Sequence, residues 1–140
     1  MADFEDYEKK LAEFEVACAK DLENFRAKLE LEGLSEKTIR NHVSNMSFFL
    51  EEYLPREWVF SVDRGIIYAD TFFDFCKRKM LCLSKTAVRS YASSLRKFYK
   101  VLLDEGRVTK TQYKEMKENM KRAADSCEAF LDAEFSSFFF

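Results

Sequence analysis

The sequence predicts an all-α fold, a single compact bundle of about five helices. Hydrophobic residues make up 47% of the 140 residues, which is enough to bury a core in one domain. With only 3 Gly and 1 Pro, the chain has few of the residues that bound strands and hairpins. Apolar residues also recur every three or four positions over long stretches, which is the period of an amphipathic helix.

The first helix is predicted over residues 4–29, and Gly33 supplies its left-handed stop. Its apolar stripe consists of Phe4, Tyr7, Leu11, Phe14, Cys18, Leu22, Phe25 and Leu29. The N-terminal part of the stripe has the spacing of a short coiled-coil seam. It therefore packs on the protein's own last helix, on a second copy, or on a partner helix, and the sequence leaves these three open.

Ser35 predicts the N-cap of a second helix that ends before Pro55. Its buried face would consist of Ile39, Val43, Met46, Leu50 and Tyr53. Residues 55–65 form the least regular stretch, and we expect its apolar side chains to pack on the core: Trp58, Val59, Phe60 and Val62. A third helix over residues 66–80 would turn the following residues inward: Ile66, Ala69, Phe72, Phe73, Cys76 and Met80.

Ser84 predicts the cap of a fourth helix that ends at Gly106, and Thr109 the cap of a fifth. The fourth buries Val88, Tyr91, Leu95, Phe98 and Leu102; the fifth buries Tyr113, Met116, Met120, Ala123, Cys127, Phe130 and Leu131. The tail ending in Phe138, Phe139 and Phe140 either closes over the core, docks on another chain, or is exposed as a signal. We predict one domain: a helical extension (1–20), a central bundle (21–108), a last helix (109–134) and an aromatic tail (135–140).

Catalytic motifs are not found in the sequence: it contains no Gly-rich phosphate loop, GxSxG elbow or HExxH. We expect no enzyme activity, no cofactor and no small-molecule substrate. The four cysteines, Cys18, Cys76, Cys82 and Cys127, lack metal-ligand spacing and are expected to be buried reduced thiols, with no metal. No apolar run approaches the roughly 18 residues of a membrane span, so we expect a cytoplasmic protein.

The net charge of −2 conceals a division of the chain into three parts. Residues 1–34 have a net charge of −5, residues 35–122 of +7 and residues 123–140 of −4. Within the middle part, residues 77–122 hold 14 basic and 4 acidic side chains. A basic centre indicates a surface for a polyanion. The acidic ends raise the hypothesis that they fold back over this centre and mask it.

Two stretches of the sequence are similar to each other. "LSEKTIRNHVSNMSFF" (34–49) and "LSKTAVRSYASSLRKF" (83–98) align without gaps at an offset of 49 and share the pairs Leu34/Leu83, Ser35/Ser84, Arg40/Arg89 and Ser44/Ser93. Each opens on a Ser cap, where free N–H groups and the helix dipole favour a phosphate. The first has Lys37, Arg40, Asn41 and Ser44 on one polar face, and the second Lys85, Arg89, Ser93, Arg96 and Lys100. Phosphate and base contacts use such side chains, but an ordinary solvated face has the same pattern.

The stretches "LENFRAKLELEGLSEKTIRNHVSNMSFFLEEYL" and "SKTAVRSYASSLRKFYKVLLDEGRV" resemble the N-terminal, SAM-like core-binding domain of tyrosine recombinases and phage integrases, over about residues 20–110. The resemblance implies a compact four-helix unit that forms half of a clamp around duplex DNA, with two helices at the major groove. The DNA-facing residues it implies are Lys37, Arg40, Asn41 and Ser44 on one helix, and Lys85, Arg89, Ser93, Arg96 and Lys97 on the other.

The chain departs from that family in two ways. The sequence ends where the family's C-terminal domain, which supplies the catalytic arginines, lysine, histidines and tyrosine, would begin, and His42 lies within the first repeat. It also adds an N-terminal extension and a last helix. We therefore expect a non-catalytic module that binds duplex DNA; the alternative is a helical protein–protein interaction module, self-associating or bound to a helical partner through the N-terminal stripe or the aromatic tail, that keeps the fold without binding DNA.

Overall fold

A computed structural model describes residues 2–79 and 83–139, and the side chains of residues 3–79 and 83–134. Five α-helices form the fold: α1 (Ala2–Leu31), α2 (Glu36–Ser47), α3 (Thr71–Lys79), α4 (Lys85–Asp104) and α5 (Lys110–Phe139). The described residues contain no strand. The predicted all-α, five-helix fold is therefore confirmed. In this part of the chain no helix pairs enough length with enough hydropathy to span a bilayer.

Helix α1 joins the core only from its fourth turn onward. Phe14, Cys18, Phe25 and Leu29 are buried, whereas Phe4, expected on the same buried stripe, is 64% exposed. The first turns of α1 contact the loop after α2 through Tyr7, which packs edge-on against Trp58 and Phe60, and no described element covers Phe4. The spacing of the stripe was thus correct, but the core extends along only part of it.

The second helix departs from a regular α-helix before Pro55. α2 ends at Ser47, and a π-helical turn, Phe48–Tyr53, continues it into a short 3-10 turn, Leu54–Glu57, that contains Pro55. The wider π turn adds a residue to the period. Phe49, Leu50, Tyr53 and Leu54 are all buried, so the turn keeps the apolar face of the second helix on the core up to Pro55.

Residues 55–70 differ from the expected irregular loop and early third helix. Trp58 has a left-handed φ of 56° at the end of the 3-10 turn, which directs Val59 into the core and leaves Trp58 56% exposed. A second 3-10 turn, Arg64–Tyr68, then occupies the expected start of the third helix, and α3 begins only at Thr71. Gly65 allows this turn to approach α4, because a Cβ there would lie 2.6 Å from the Tyr99 hydroxyl.

Helices α4 and α5 complete the core largely as predicted. Val88, Leu95, Phe98 and Leu102 of α4 are buried, as are the α5 residues Met116, Met120 and Cys127. Phe130 was expected to face inward and is 41% exposed, because it lies against the Lys77 ammonium on the surface. α5 runs on to Phe139 in place of a separate tail, since no Gly or Pro interrupts it.

Some expectations fall on residues outside the described part. These are the inward position of Met80, the state of Cys82, and the placement of the aromatic side chains from Phe135 to Phe140. The other three cysteines, Cys18, Cys76 and Cys127, are buried free thiols. Burial raises the pKa of the Cys18 and Cys76 thiols to about 12, so both stay protonated at neutral pH.

A half-buried arginine just after α4 ties the end of this helix to the rest of the fold. Arg107 donates from both terminal nitrogens to the Asp21 carboxylate of α1, at 2.8 Å each, and from Nε to Asp63, at 2.9 Å. Asp21 is only 9% exposed, so loss of Arg107 would leave its carboxylate without a partner at a buried position. The contact sets the position of α4 relative to α1, where the candidate interface lies.

Candidate nucleic-acid interface

Both repeated stretches begin with a side-chain N-cap. The Ser35 hydroxyl accepts from the Thr38 amide at 3.2 Å, and the Ser84 hydroxyl accepts from the Ala87 amide at 3.1 Å. Each serine has extended backbone dihedrals, as an N-cap requires. The motif therefore forms the same local structure twice, as the sequence predicts.

The two helices meet at repeat-equivalent positions. One turn of α2 lies against one turn of α4, where Asn41 and Asn45 donate to the Ser90 hydroxyl at 3.1 and 2.9 Å. Asn45 also donates to the Ser94 hydroxyl at 3.0 Å. Asn41 pairs with Ser90, and Asn45 with Ser94, at the same offset of 49 that relates the two stretches in sequence. We call this contact the polar seam.

His42 completes the polar seam and its tautomer follows from the bonding. The Ser94 hydroxyl donates its hydrogen to the Ser90 carbonyl at 3.0 Å, so its oxygen accepts from His42 Nδ1 at 2.7 Å. Neutral His42 thus carries its proton on Nδ1. Burial, and then the nearby Lys97 ammonium, lower the His42 pKa, while Glu32 raises it. His42 therefore has a structural role in joining α2 to α4.

The polar face of α2 forms an open hollow of about 650 Å³, which we call the α2 hollow. It is lined by Lys37, Thr38, Arg40, Asn41 and Ser44, two of which are basic and none acidic. Neither Lys37 nor Arg40 makes an ion pair within the described residues. All four residues predicted on the first stretch are thus exposed around one concave surface, although Asn41 also bonds across the polar seam.

A second hollow, of about 590 Å³, lies between the end of α1, the middle of α4 and the start of α5, and we call it the α4 groove. Its lining comprises Lys28, Glu32, Ser93, Arg96, Lys97, Lys100, Val101, Asp104, Tyr113 and Lys117. Five of these residues are basic and two are acidic. Four of the predicted residues meet here: Ser93, Arg96, Lys97 and Lys100.

Carboxylates pair with several of the predicted α4 side chains. In the α4 groove, Lys97 lies 3.3 Å from Glu32 and Lys100 lies 3.0 Å from Asp104. Arg96 makes no ion pair with a described residue, and its carbonyl accepts from the Tyr113 hydroxyl.

The remaining two predicted residues, Lys85 and Arg89, do not line either hollow. They lie beside the C-terminal half of α5, where Lys85 pairs with Asp132 at 2.5 Å and Arg89 with Glu128 at 2.6 Å. The ten predicted residues therefore fall into three groups: four in the α2 hollow, four in the α4 groove and two against α5.

Sequence reasoning missed two basic residues of the α4 groove. Lys28 lies near the end of α1 and Lys117 in α5, both outside the repeated stretches. The positions of these two lysines in the sequence do not indicate a shared site, because only the packing of α1 and α5 on α4 brings them together. The high positive charge of residues 77–122 gave a partial signal for Lys117.

Comparisons with protein-family models, with curated proteins and with solved structures found no match to this chain. The resemblance to integrase core-binding domains therefore continues to depend on the two stretches quoted above.

Proposed function

We propose that this chain is a non-catalytic DNA-binding module of integrase type, which holds duplex DNA through the basic faces of α2 and α4. The observation that carries the proposal is the pair of hollows beside the α2–α4 crossing. Together the α2 hollow and the α4 groove are lined by seven basic and two acidic side chains. Phosphate oxygens of a duplex are the ligands that such a lining favours.

The chemistry of the two hollows suits backbone contacts more than base readout. Lys and Arg donate to phosphates, and Ser44 and Ser93 supply hydroxyls beside them. The Asn41 amide has one hydrogen engaged with Ser90, so its remaining hydrogen and its carbonyl oxygen are what it offers to a base edge. We therefore expect weak sequence preference and a strong dependence on salt.

Fluorescence anisotropy of random-sequence duplex at about 50 and 200 mM salt tests the proposal. Six or more phosphate contacts predict at least a roughly thousandfold loss of affinity between these concentrations. The variant K37Q/R40Q should reduce the salt slope by about 2, since it removes two phosphate contacts. K9Q/K20Q is the matched control: it removes the same charge from exposed positions of α1 and should leave the slope unchanged. Absence of binding at about 50 mM salt would overturn the proposal.

A protein–protein interaction module is the second candidate, and the surface at Trp58 favours it. Trp58 and Phe4 are 56% and 64% exposed, and Trp58 has the left-handed backbone that normally favours Gly. An association through this surface should barely respond to salt. Sedimentation of the wild type and of W58G distinguishes the candidates: a complex that W58G loses at both salt concentrations supports the module, and a monomer in both opposes self-association.

A further inference from the structure

The charge of α5 reverses along its length. Residues 110–122 carry five basic and two acidic side chains, and one of the basic side chains, that of Lys117, lines the α4 groove. Residues 123–134 carry four acidic side chains, Asp125, Glu128, Asp132 and Glu134, and no basic one. The first half of α5 therefore extends the basic surface of α4, and the second half opposes it.

The acidic half meets α4 at two of the predicted DNA-facing residues. Glu128 and Asp132 are four residues apart on α5, and they pair with Arg89 and Lys85, four apart on α4. The two helices run antiparallel here, so the order of the two carboxylates along α5 is the reverse of the order of their basic partners along α4. Carboxylate oxygens at 2.5 and 2.6 Å occupy the donor sites that phosphate oxygens would take.

Few apolar contacts hold this acidic half in place. Cys127 is its only fully buried side chain, and the partly buried residues packed on the core are Ala123, Ala124 and Leu131. The preceding turns of α5 are anchored by the buried Met116 and Met120. The two basic partners, Lys85 and Arg89, are 42% and 71% exposed, so another anion can reach both from solvent. Of the two carboxylates, Asp132 is 61% exposed and Glu128 only 20%.

We propose that the acidic half of α5 is an internal competitor for the phosphate sites of Lys85 and Arg89. The duplex contacts the α2 hollow and the α4 groove first, and Lys85 and Arg89 join only when the phosphate backbone displaces Glu128 and Asp132. This inference rests on the proposed function, because it requires that α4 faces DNA.

Two double variants separate this competition from a general effect of charge. E128Q/D132N removes the two carboxylates that pair with α4. D125N/E134Q removes the same charge from the same segment, at exposed positions that make no ion pair within the described residues. In anisotropy titrations with one duplex at about 100 mM salt, we expect E128Q/D132N to bind roughly three- to tenfold more tightly than D125N/E134Q.

The outcomes distinguish the competition from the binding itself. Equal affinities of the two variants would overturn the competition, and binding by the wild type would still support the proposed function. No binding by any of the three proteins at low salt would overturn both. Hydrogen exchange of the wild type gives a second measurement that needs no variant: saturating duplex should speed exchange in residues 123–134, and unchanged or slower exchange there contradicts the competition.

Discussion

The two copies of the repeated motif form the same local structure in different surroundings. Each copy starts with a bonded Ser cap, and each supplies polar residues to the polar seam. Arg40 and Arg89 are equivalent in sequence, yet Arg40 lies in the open α2 hollow and Arg89 pairs with Glu128. Similar sequence thus produced similar helices with differently available charges.

The difference comes from the neighbours of each helix. α2 leaves its basic face open to solvent, whereas α4 packs along α5, which brings Glu128 and Asp132 to its side. The end of α1 likewise brings Glu32 to Lys97. A basic face that is continuous on α4 is therefore divided into separately paired residues. A count of basic side chains alone, two on α2 and five on α4, would favour α4 as the phosphate-binding helix, although four of its five are paired with carboxylates.

The largest effect is expected where the two copies touch. S94A removes the hydroxyl that accepts from His42 and Asn45. The buried His42 Nδ1–H then loses its partner, and Asn45 keeps only its bond to Ser90. The free energy of unfolding should fall by about 1–3 kcal/mol. S93A is the matched control, because the neighbouring serine faces the α4 groove and should cost less than about 0.5 kcal/mol. Equal values in urea unfolding would mean that the polar seam does not hold the helices together.

The caps provide the next test, in which the two copies should behave alike. S35A and S84A each remove an acceptor for a first-turn amide, so each should lower the free energy of unfolding by about 1 kcal/mol. S93A serves again as the control, since that serine lies inside α4, lines the α4 groove and caps no helix. A cost at only one cap would show that the repeat is not structurally equivalent at its start.

Arg40 and Arg89 should differ by a smaller amount. A double-mutant cycle of R89A and E128A is expected to give a coupling of about 0.2–1 kcal/mol, which is usual for an exposed ion pair. R40A should change stability by less than about 0.5 kcal/mol, because Arg40 has no carboxylate partner among the described residues. Added salt should reduce the coupling. A coupling of zero would remove the energetic difference between the two copies.

Much of the fold followed from residues whose effect is local. The caps at Ser35 and Ser84, the stops at Gly33 and Gly106 and the apolar stripes located four of the five helices closely, because hydrogen bonding and backbone freedom act within one turn. The third helix was placed too early, since the turn before it depends on a contact between Gly65 and Tyr99, 34 positions away. Such long-range contacts leave no periodic signal.

The candidate site was predictable only in part for the same reason. Helical spacing placed Lys37 and Arg40 on one exposed face, and the structure has them around one hollow. Spacing gave no information on which carboxylates would pair with α4, because Glu32 and Glu128 come from other helices. The polar seam was missed because Asn45 and Ser94 have no apolar pattern and their partners lie about 50 residues apart.

The smallest expected effect is a dependence of stability on pH through His42. Its pKa is lowered in the folded protein by burial and by Lys97, so the unfolded chain, with a pKa near 6.5, binds the proton more readily. The contribution of His42 to the free energy of unfolding is therefore greatest above about pH 6.5, and it is lost as the pH drops below that value. The bond from Nδ1–H to Ser94 exists in both protonation states and does not contribute to the difference. Urea unfolding between pH 8 and 5.5 measures this loss of stability. The variant H42N keeps an amide that can donate to Ser94 but does not titrate, so its stability should fall less over the same range. An equal fall in H42N would assign the pH dependence to other groups.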